Sequence, residues 1–298
     1  MNRKSQAKPF VKWVGGKSQI LSEIRRRYPA DLGVSIFKYT EPFVGGGAVL
    51  FDVLERYTLA DALICDVNLE LIHTYITVRD NVDKLIDALC VLKNEYIPAN
   101  SYNRKTIYYR NRDRFNALKS TQDKSVELAA LFIFLNKTCF NGLYRVNSSG
   151  GFNVPQGSYK TPTICDKANL KAVSEALKDV KIIHGDYRLS QSFIDKNTFV
   201  YFDPPYRPLT STANFIAYSG DRFNDEQQIE LAQFIDEMSE RGAVIIASNS
   251  DPTNADENDN FMDKLYSSHN IMRITANRAI NSVGSGRGQI RELLIANG

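Results

Sequence analysis

The chain has 298 residues, 24% charged and 43% hydrophobic, and this composition is typical of a globular protein with material for one large core or two domains. It starts without an apolar leader and has no apolar run long enough to cross a bilayer, so we expect a cytoplasmic protein with no membrane partner. The net charge of +3 is too mild to prove a polyanionic partner, and four scattered cysteines and three histidines lack metal-ligand spacing, which predicts reduced thiols and no metal site.

The first motif is KPFVKWVGGK at 8–17, which precedes a predicted helix over 18–28. Its GKS triplet also occurs at the end of Walker A phosphate-binding loops, but the first glycine that such a loop requires is replaced by Val11, which excludes a Walker A motif. Trp13, the only tryptophan, suits either a core position or stacking on an aromatic ligand, and Lys17 could reach an anionic group.

A glycine turn follows. A predicted strand over 36–44 runs into three glycines at 45–47 and then into a helix, so the backbone can approach a ligand closely and the helix offers free amides. A second predicted strand, 63–65, ends at Asp66. Asp66 follows the glycine turn by about twenty residues, the distance along the chain at which an acid commonly binds a ribose hydroxyl. The alternative is that Asp66 only caps the helix predicted to start at Val67. Together the turn and the acid favour an adenosine-containing ligand.

The segment 69–136 shows helical periodicity and no strand signal. Between residues 102 and 119 it carries six lysines and arginines against one acid, together with two adjacent tyrosines. Such a run is usually a solvated helix face. Cations mixed with aromatic residues also suit contact with DNA phosphates, for which Arg112 and Arg114 are the candidates.

A hairpin is predicted over 137–159, because β-prone residues flank a polar tip at 148–151. Four of its residues are expected to be exposed and to enter a DNA groove: Phe140, Asn141, Tyr144 and Arg145. The alternative is a surface hairpin whose aromatic side chains are tucked beneath it.

Alternating helices and strands are predicted for the rest of the chain. They are a helix over 166–177, a strand over 180–184, a strand over 198–202, a polar loop over 207–223, a helix over 224–241 and a strand over 243–248. Segments 271–275 and 292–296 predict a closing antiparallel pair, joined by a mobile loop that contains Gly284, Gly286 and Gly288.

The strand over 198–202 is apolar and ends in Asp-Pro-Pro-Tyr. Neither proline can donate to a sheet, so the strand stops and leaves Asp203 at its carboxyl end, where α/β sheets bind ligands. An exocyclic amino group on a base is a poor nucleophile until acceptors hold its hydrogens. Asp203 and the Pro204 carbonyl could be those acceptors, while Tyr206 stacks on the base. The alternative is a surface acid on a proline turn.

Four blocks, KWVGGK, EPFVGGGAVLF, CFNGLYRVN and DPPY, occur in this order and together resemble the Dam-like (D12 class) adenine-N6 DNA methyltransferases. The resemblance extends to TANFIAYSGDRFNDEQ and to the final RELLIAN. DPPY alone also occurs in methyltransferases acting on other amino groups, and the order of the four blocks is more specific. One departure is Phe140, where related hairpins often carry tyrosine. Phenylalanine is also aromatic, so the ring at this position can still stack on a base.

The resemblance implies an α/β, Rossmann-like, S-adenosylmethionine-dependent methyltransferase fold with an inserted, mainly helical target-recognition domain and β-hairpin. The catalytic domain would comprise 1–68 and 166–298, and the recognition domain 69–165. The implied cofactor-binding residues are Trp13, Gly16, Lys17, Phe43, Gly45, Gly47, Asp66, Asp186 and Asp203. The implied catalytic residues are Asp203, Pro204, Pro205 and Tyr206.

The expected reaction is methyl transfer from S-adenosylmethionine to N6 of an adenine flipped out of duplex DNA. By the same resemblance the site is GATC. We hypothesise that Arg145, on a hairpin narrow enough for the major groove, reads a guanine in it, and the alternative is that Arg145 binds only phosphate. A restriction endonuclease is a candidate functional partner. Two alternatives stay open, an N4-cytosine methyltransferase and a catalytically silent DNA-binding module on the same fold.

Overall fold

The computed structural model describes residues 6–207, 223–277 and 289–298. Within these ranges the α-helices are α1 Leu21–Arg25, α2 Ala48–Arg56, α3 Leu69–Asp80, α4 Val82–Tyr96, α5 Ser101–Ser120, α6 Val126–Thr138, α7 Lys167–Ala176, α8 Asp225–Glu240 and α9 Phe261–Leu265. The strands are β1 Lys38–Glu41, β2 Asp61–Asp66, β3 Val180–His184, β4 Thr198–Phe202, β5 Val244–Ser250, β6 Asn270–Asn277 and β7 Gln289–Ala296. Short 3₁₀ helices cover Lys17–Gln19, Phe140–Gly142, Tyr187–Ser190 and Pro252–Asn254.

The chain divides into two compact units. The first unit comprises Met1–Gly16, Gly45–Glu55 and Asp66–His184, and the second comprises Lys17–Val44, Arg56–Cys65 and Gly185–Gly298. The first unit thus includes the whole of 69–165, together with further segments. The boundaries of an inserted recognition domain at 69–165 stay a prediction.

The fold is mixed α/β with a seven-stranded, mostly parallel sheet, which confirms the predicted class. In the second unit the strands follow the order β2-β1-β4-β5-β7-β6. Strands β2, β1, β4 and β5 run parallel to one another. Strand β7 is antiparallel to β5, and β6 is antiparallel to β7. All five residues of β4 are buried, as expected of a central parallel strand covered on both faces. The core beside β4 and β5 includes Phe202, Leu231, Met238, Ile245 and Leu293.

The first unit is mainly helical and is centred on α6. Ten of the thirteen residues of α6 are buried, and a helix that is apolar on all sides belongs in a core. Polar N-caps start the helices of this unit. Asn68, Asn100 and Ser125 each accept a hydrogen bond from the backbone amide three residues further on.

Several element boundaries differ from the prediction. The helix predicted over 18–28 is shortened to α1, and a separate 3₁₀ helix covers Lys17–Gln19 at its predicted start. Pro29 disfavours helical backbone only at Tyr28, the predicted last residue. The strand predicted over 36–44 is reduced to β1, which ends immediately before Pro42 and the glycine turn. The predicted loop containing Gly284, Gly286 and Gly288 lies outside the described residues, as does the polar loop between Arg207 and Phe223. No helix in the described ranges combines the length and apolar character needed to cross a bilayer.

Candidate active site

Asp203 follows β4 directly, at the carboxyl end of the parallel strands of the second unit. Pro204 is buried and Pro205 is exposed. The Pro205 carbonyl accepts a hydrogen bond of 3.2 Å from Nε2 of Gln228, a fully buried residue of α8. The turn that carries the carboxylate is therefore fixed both by two proline rings and by a contact to a helix.

The Asp203 carboxylate is held by two donors. Nζ of Lys17 lies 2.7 Å from Oδ1, and Oγ of Ser248 donates to the same oxygen at 2.9 Å. Lys17 is only 4% exposed, and the Asp203 side chain is 21% exposed. Burial raises the pKa of the Asp203 carboxyl above its ordinary value, and Lys17 and Ser248 oppose part of this rise. Asp203 is therefore a partly desolvated, ion-paired group, and its interpretation as a surface acid is wrong.

Tyr206 is anchored at both its ring and its hydroxyl. The hydroxyl donates to Oε2 of Glu292 on β7 at 2.8 Å, and Nζ of Lys17 lies 4.7 Å from the ring centroid. Burial, with the nearby Asp203 and Glu292 carboxylates, raises the pKa of the phenol well above its ordinary value. The hydroxyl therefore stays protonated and keeps donating to Glu292, which fixes the direction of the ring.

Phe43 and Asp186, both predicted to bind the cofactor, have structural partners in the second unit. The Phe43 ring packs on Tyr187 and Phe202, with centroid distances of 5.4 and 6.4 Å. Asp186 precedes the 3₁₀ helix Tyr187–Ser190 and accepts from the Arg188 amide at 2.9 Å. Their cofactor contacts stay a prediction.

In the first unit, Asp66 is tied to the glycine turn. Its Oδ2 accepts from the Gly45 amide at 3.0 Å and its Oδ1 from the Asn68 amide at 2.9 Å. The N-cap of α3 is Asn68, whose side chain accepts from the Leu71 amide. The alternative that Asp66 caps this helix is therefore wrong, because the helix starts two residues later than predicted and Asn68 is its N-cap. Contact of Asp66 with a ribose stays a prediction.

Gly45 and Gly47 have φ values of 47° and 70°, in the left-handed region that favours glycine. A Cβ on Gly45 would lie 2.7 Å from Cδ1 of Trp13, so the indole lies directly against the turn. Trp13 also stacks on Tyr144, with centroids 6.2 Å apart, and the Trp13 carbonyl accepts from the Gly16 amide at 3.1 Å. The half-buried Trp13 indole therefore packs against Tyr144 and the glycine turn, and part of its surface stays exposed.

A comparison with known families decides the class of this chain. Residues 13–280 match the family described as D12 class N6 adenine-specific DNA methyltransferase. The chain belongs to this family. The methyltransferase is 48% identical over 294 residues to the type II methyltransferase M.MjaIII of Methanocaldococcus jannaschii, covering 98% of this chain and 99% of the relative.

Two further relatives cover almost the whole of both chains. Type II methyltransferase M1.LlaDCHI of Lactococcus lactis subsp. cremoris is 36% identical, covering 99% of this methyltransferase and 96% of the relative. The DNA adenine methylase of Escherichia coli K12 is 35% identical, covering 96% and 93%. The similarity therefore includes both the glycine-turn region and the region around Asp203.

The predicted hairpin of the methyltransferase is present, with short antiparallel bridges in place of long strands. Val146 pairs with Phe152, and Cys139 pairs with Gln156. Phe140 is 50% exposed, and Asn141 beside it is exposed with a positive φ of 55°. These two residues therefore have the exposure that insertion into DNA requires.

Tyr144 differs from the prediction, since it is half-buried beneath the hairpin. Its ring packs on Trp13 and Phe132, its hydroxyl donates to Oε2 of Glu70 at 2.7 Å, and Nζ of Lys119 donates to the hydroxyl at 2.9 Å. An aromatic ring with a satisfied hydroxyl gains more from this burial than from exposure. The expected exposure of Tyr144 is wrong, and the alternative of a tucked aromatic holds for this residue.

Arg145 is exposed, and its Nε donates to Oδ1 of Asn153 on the opposite arm of the hairpin at 2.8 Å. The side chain is thus oriented by its own hairpin. Its contact with a base or a phosphate stays a prediction.

Acidic side chains pair with much of the basic stretch on α5. Arg114 forms two hydrogen bonds of 2.7 Å to the Glu127 carboxylate, and Arg110 lies 2.6 Å from Glu95. Arg112 is half-buried, with its guanidinium carbon 4.5 Å from the centroid of the Tyr109 ring. These pairs favour a solvated helix face for part of the run, and phosphate contact by Arg112 and Arg114 stays a prediction.

Sequence reasoning missed two residues that contact the DPPY turn, Ser248 and Glu292. Ser248 directly follows the apolar run of β5, and Glu292 directly precedes the apolar run of β7. For Ser248 this position is a signal that could have identified it, because parallel strands end at a common edge. Strand β7 is antiparallel to β5, so Glu292 has no equivalent signal.

Proposed function

We propose that this methyltransferase transfers a methyl group from S-adenosylmethionine to N6 of an adenine flipped out of duplex DNA, within GATC. The observation that carries this proposal is the half-buried carboxylate of Asp203, which is paired with Lys17 and lies in the same turn as the Pro204 carbonyl and the Tyr206 ring. Adenine specificity belongs to the family, and the donor, the flipped base and the site are the proposed parts.

The proposed reaction is one direct displacement. S-adenosylmethionine, when bound, supplies an activated methyl group on its sulfonium. In this displacement a bond would form from N6 of adenine to the methyl carbon while the carbon–sulfur bond breaks, the neutral thioether would leave, and N6 would lose one proton to solvent. Asp203 and the Pro204 carbonyl accept the amino hydrogens, which frees the nitrogen lone pair for attack, and Tyr206 stacks on the base.

Residues of the first unit fit the adenosine part of this donor. The Asp66 carboxylate supplies acceptors suited to ribose hydroxyls, and the partly exposed Trp13 offers an aromatic face. The positive φ values of Gly45 and Gly47 permit close approach of backbone to a ligand. In the second unit, Lys17 favours the ionised form of Asp203, which an acceptor of amino hydrogens requires.

Flipping the target base costs a few kcal/mol, on the order of one lost stacking and pairing interaction. The exposed Phe140 is suited to fill the vacated stack, with Asn141 beside it. Two relatives are named type II methyltransferases, which supports functional pairing with a restriction endonuclease.

The test uses the purified protein, S-adenosylmethionine with a labelled methyl group, and duplexes that differ by one base pair from GATC. Nucleoside analysis of the product identifies the methylated base. We expect label on N6-methyladenine from the GATC duplex alone. Label on N4-methylcytosine would support the cytosine alternative, and DNA binding without transfer would support a silent binding module.

A further inference from the structure

Ser248 lies on β5, next to the turn that carries Asp203. Strand β5 pairs with β4 in a register that places Phe202 opposite Ala247, so Ser248 and Asp203 are the next residues along the two strands. Ser248 has no exposed surface. A buried hydroxyl requires hydrogen-bond partners, and the identity of those partners indicates its role.

The partners of Ser248 give its hydroxyl a direction. The Tyr201 hydroxyl donates to Oγ of Ser248 at 3.1 Å, and Ser248 donates to Oδ1 of Asp203 at 2.9 Å. A serine hydroxyl has one hydrogen, and the Phe202 carbonyl is a more distant acceptor at 3.4 Å. Burial and the Asp203 charge raise the pKa of Tyr201 well above its ordinary value, so Tyr201 stays a donor.

Two donors therefore converge on one oxygen of the Asp203 carboxylate. Lys17 lies 2.7 Å from Oδ1 and Ser248 lies 2.9 Å from the same atom. Lys17 and Ser248 are the two described side chains that act on this carboxylate as donors, and the contact of each is to Oδ1. Because the carboxylate is planar, fixing Oδ1 also fixes where Oδ2 points.

We propose that Ser248 is a positioning residue for methyl transfer: together with Lys17 it occupies Oδ1 of Asp203 and so presents Oδ2 as the acceptor for the target amino group. This inference rests on the proposed function of Asp203. Tyr201 acts one step further away by orienting the Ser248 hydroxyl.

The charges around Asp203 set the consequence of losing Ser248. Lys17 faces the carboxylate from the N-terminal segment, Tyr201 from β4, and Tyr206 from the turn with Glu292 behind it. Removing Ser248 takes away one of the influences that lower the pKa of Asp203. The pKa then rises, and the ionised form is lost at a higher pH than in the unaltered protein.

The variant Ser248→Ala tests the proposal. We expect kcat to fall by up to about 100-fold, the loss typical of a misplaced reacting group, with KM for S-adenosylmethionine unchanged. We also expect the acidic limb of the kcat–pH profile to move to higher pH. Ser248→Thr should restore both properties, because it keeps a hydroxyl on the same carbon.

Two further variants separate positioning from a general loss of structure. Ser250→Ala alters the same strand at a residue whose hydroxyl contacts the Arg207 carbonyl at 3.4 Å, so it should leave kcat and the profile unchanged. Tyr201→Phe keeps Ser248 but removes its orienting donor, and should give a smaller loss in the same direction.

A further measurement, the pKa of the Asp203 carboxyl, does not depend on enzyme activity. The pKa of the Asp203 carboxyl is measured by ¹³C NMR, with Asp203→Asn assigning the signal, and should be higher in Ser248→Ala than in Ser250→Ala. An equal pKa in these two variants, or an unchanged kcat in Ser248→Ala, would overturn the role of Ser248. Absence of methyl transfer by the unaltered protein would instead overturn the proposed function, while the NMR comparison still decides how Asp203 is held.

Discussion

The Asp203 carboxylate combines two opposing influences within a few ångströms. Burial favours its protonated form, whereas the Lys17 ammonium favours the ionised form. A carboxylate kept ionised in a partly desolvated site is a stronger hydrogen-bond acceptor than one in water. The chemistry of the site therefore depends on single atoms of a few side chains.

The first prediction concerns Asp203 itself. Asp203→Ala should reduce methyl transfer by about 100- to 1000-fold, the usual cost of losing one preorganised group at the reacting centre. The measurement is single-turnover transfer of labelled methyl to DNA, with circular dichroism as the check on folding. A folded variant with near-normal turnover would remove Asp203 from the reaction.

A second prediction concerns Asp66. Asp66→Ala should weaken binding of S-adenosylmethionine and change kcat little, because a ribose contact is made equally in the ground and transition states. It should also destabilise the first unit by about 1–3 kcal/mol, since the Gly45 and Asn68 amides lose their shared acceptor.

Calorimetric titration with the cofactor checks the prediction for Asp66. Asp166→Ala is the matched control, because Asp166 accepts from the Asn169 amide at the start of α7 and has no predicted cofactor contact. Equal cofactor affinity in the two variants would leave Asp66 with only its contacts to the glycine turn.

At the scale of elements, the hairpin differs from the basic helix in how its cations are held. Asn153 is the only described residue that hydrogen-bonds the Arg145 guanidinium, whereas Arg114 on α5 is bound by both oxygens of Glu127. Arg145 thus keeps the two terminal nitrogens that a bidentate contact needs, and Arg114 must release a carboxylate first.

For the hairpin we predict that Arg145 reads a guanine of GATC. Arg145→Ala should lower methylation of GATC and relax discrimination at one base pair by roughly 1–3 kcal/mol, the value of a bidentate arginine–guanine contact. The measurement compares kcat/KM on GATC and on duplexes changed at each position. An equal loss on every duplex would show that Arg145 only anchors a phosphate.

For α5 we predict phosphate contact that is independent of sequence. Arg112→Ala should weaken binding to all duplexes alike and flatten the plot of log affinity against log salt concentration by a slope of roughly one. Arg114→Ala should have a smaller effect, because its pair with Glu127 already neutralises the charge. Arg110→Ala is the control, because Arg110 lies on the same helix as Arg112 and is already paired with Glu95 of α4. Identical slopes for all three variants would establish a solvated face.

At the scale of the whole molecule, the sequence predicted what depends on neighbours in the chain. The β4 strand and its turn follow from a local run of apolar residues ended by two prolines, and the glycine turn follows from three adjacent glycines. The partners of these groups depend on distant segments. Tyr206 meets Glu292 across 86 positions, and Tyr144 is buried by Trp13, so neither contact has a signature in local periodicity.

Each compact unit is assembled from three separate stretches of chain, and this arrangement has a consequence for how the protein is made. The second unit needs both strand β1, Lys38–Glu41, and strand β7, Gln289–Ala296, so its sheet cannot close before the ribosome has made β7. Contacts so far apart in sequence carry a large loop-closure cost and slow folding. We therefore expect nascent chains that stop before β7 to depend on chaperones, and a chain cut at the C-terminus to lose Glu292 and the anchor of Tyr206 together.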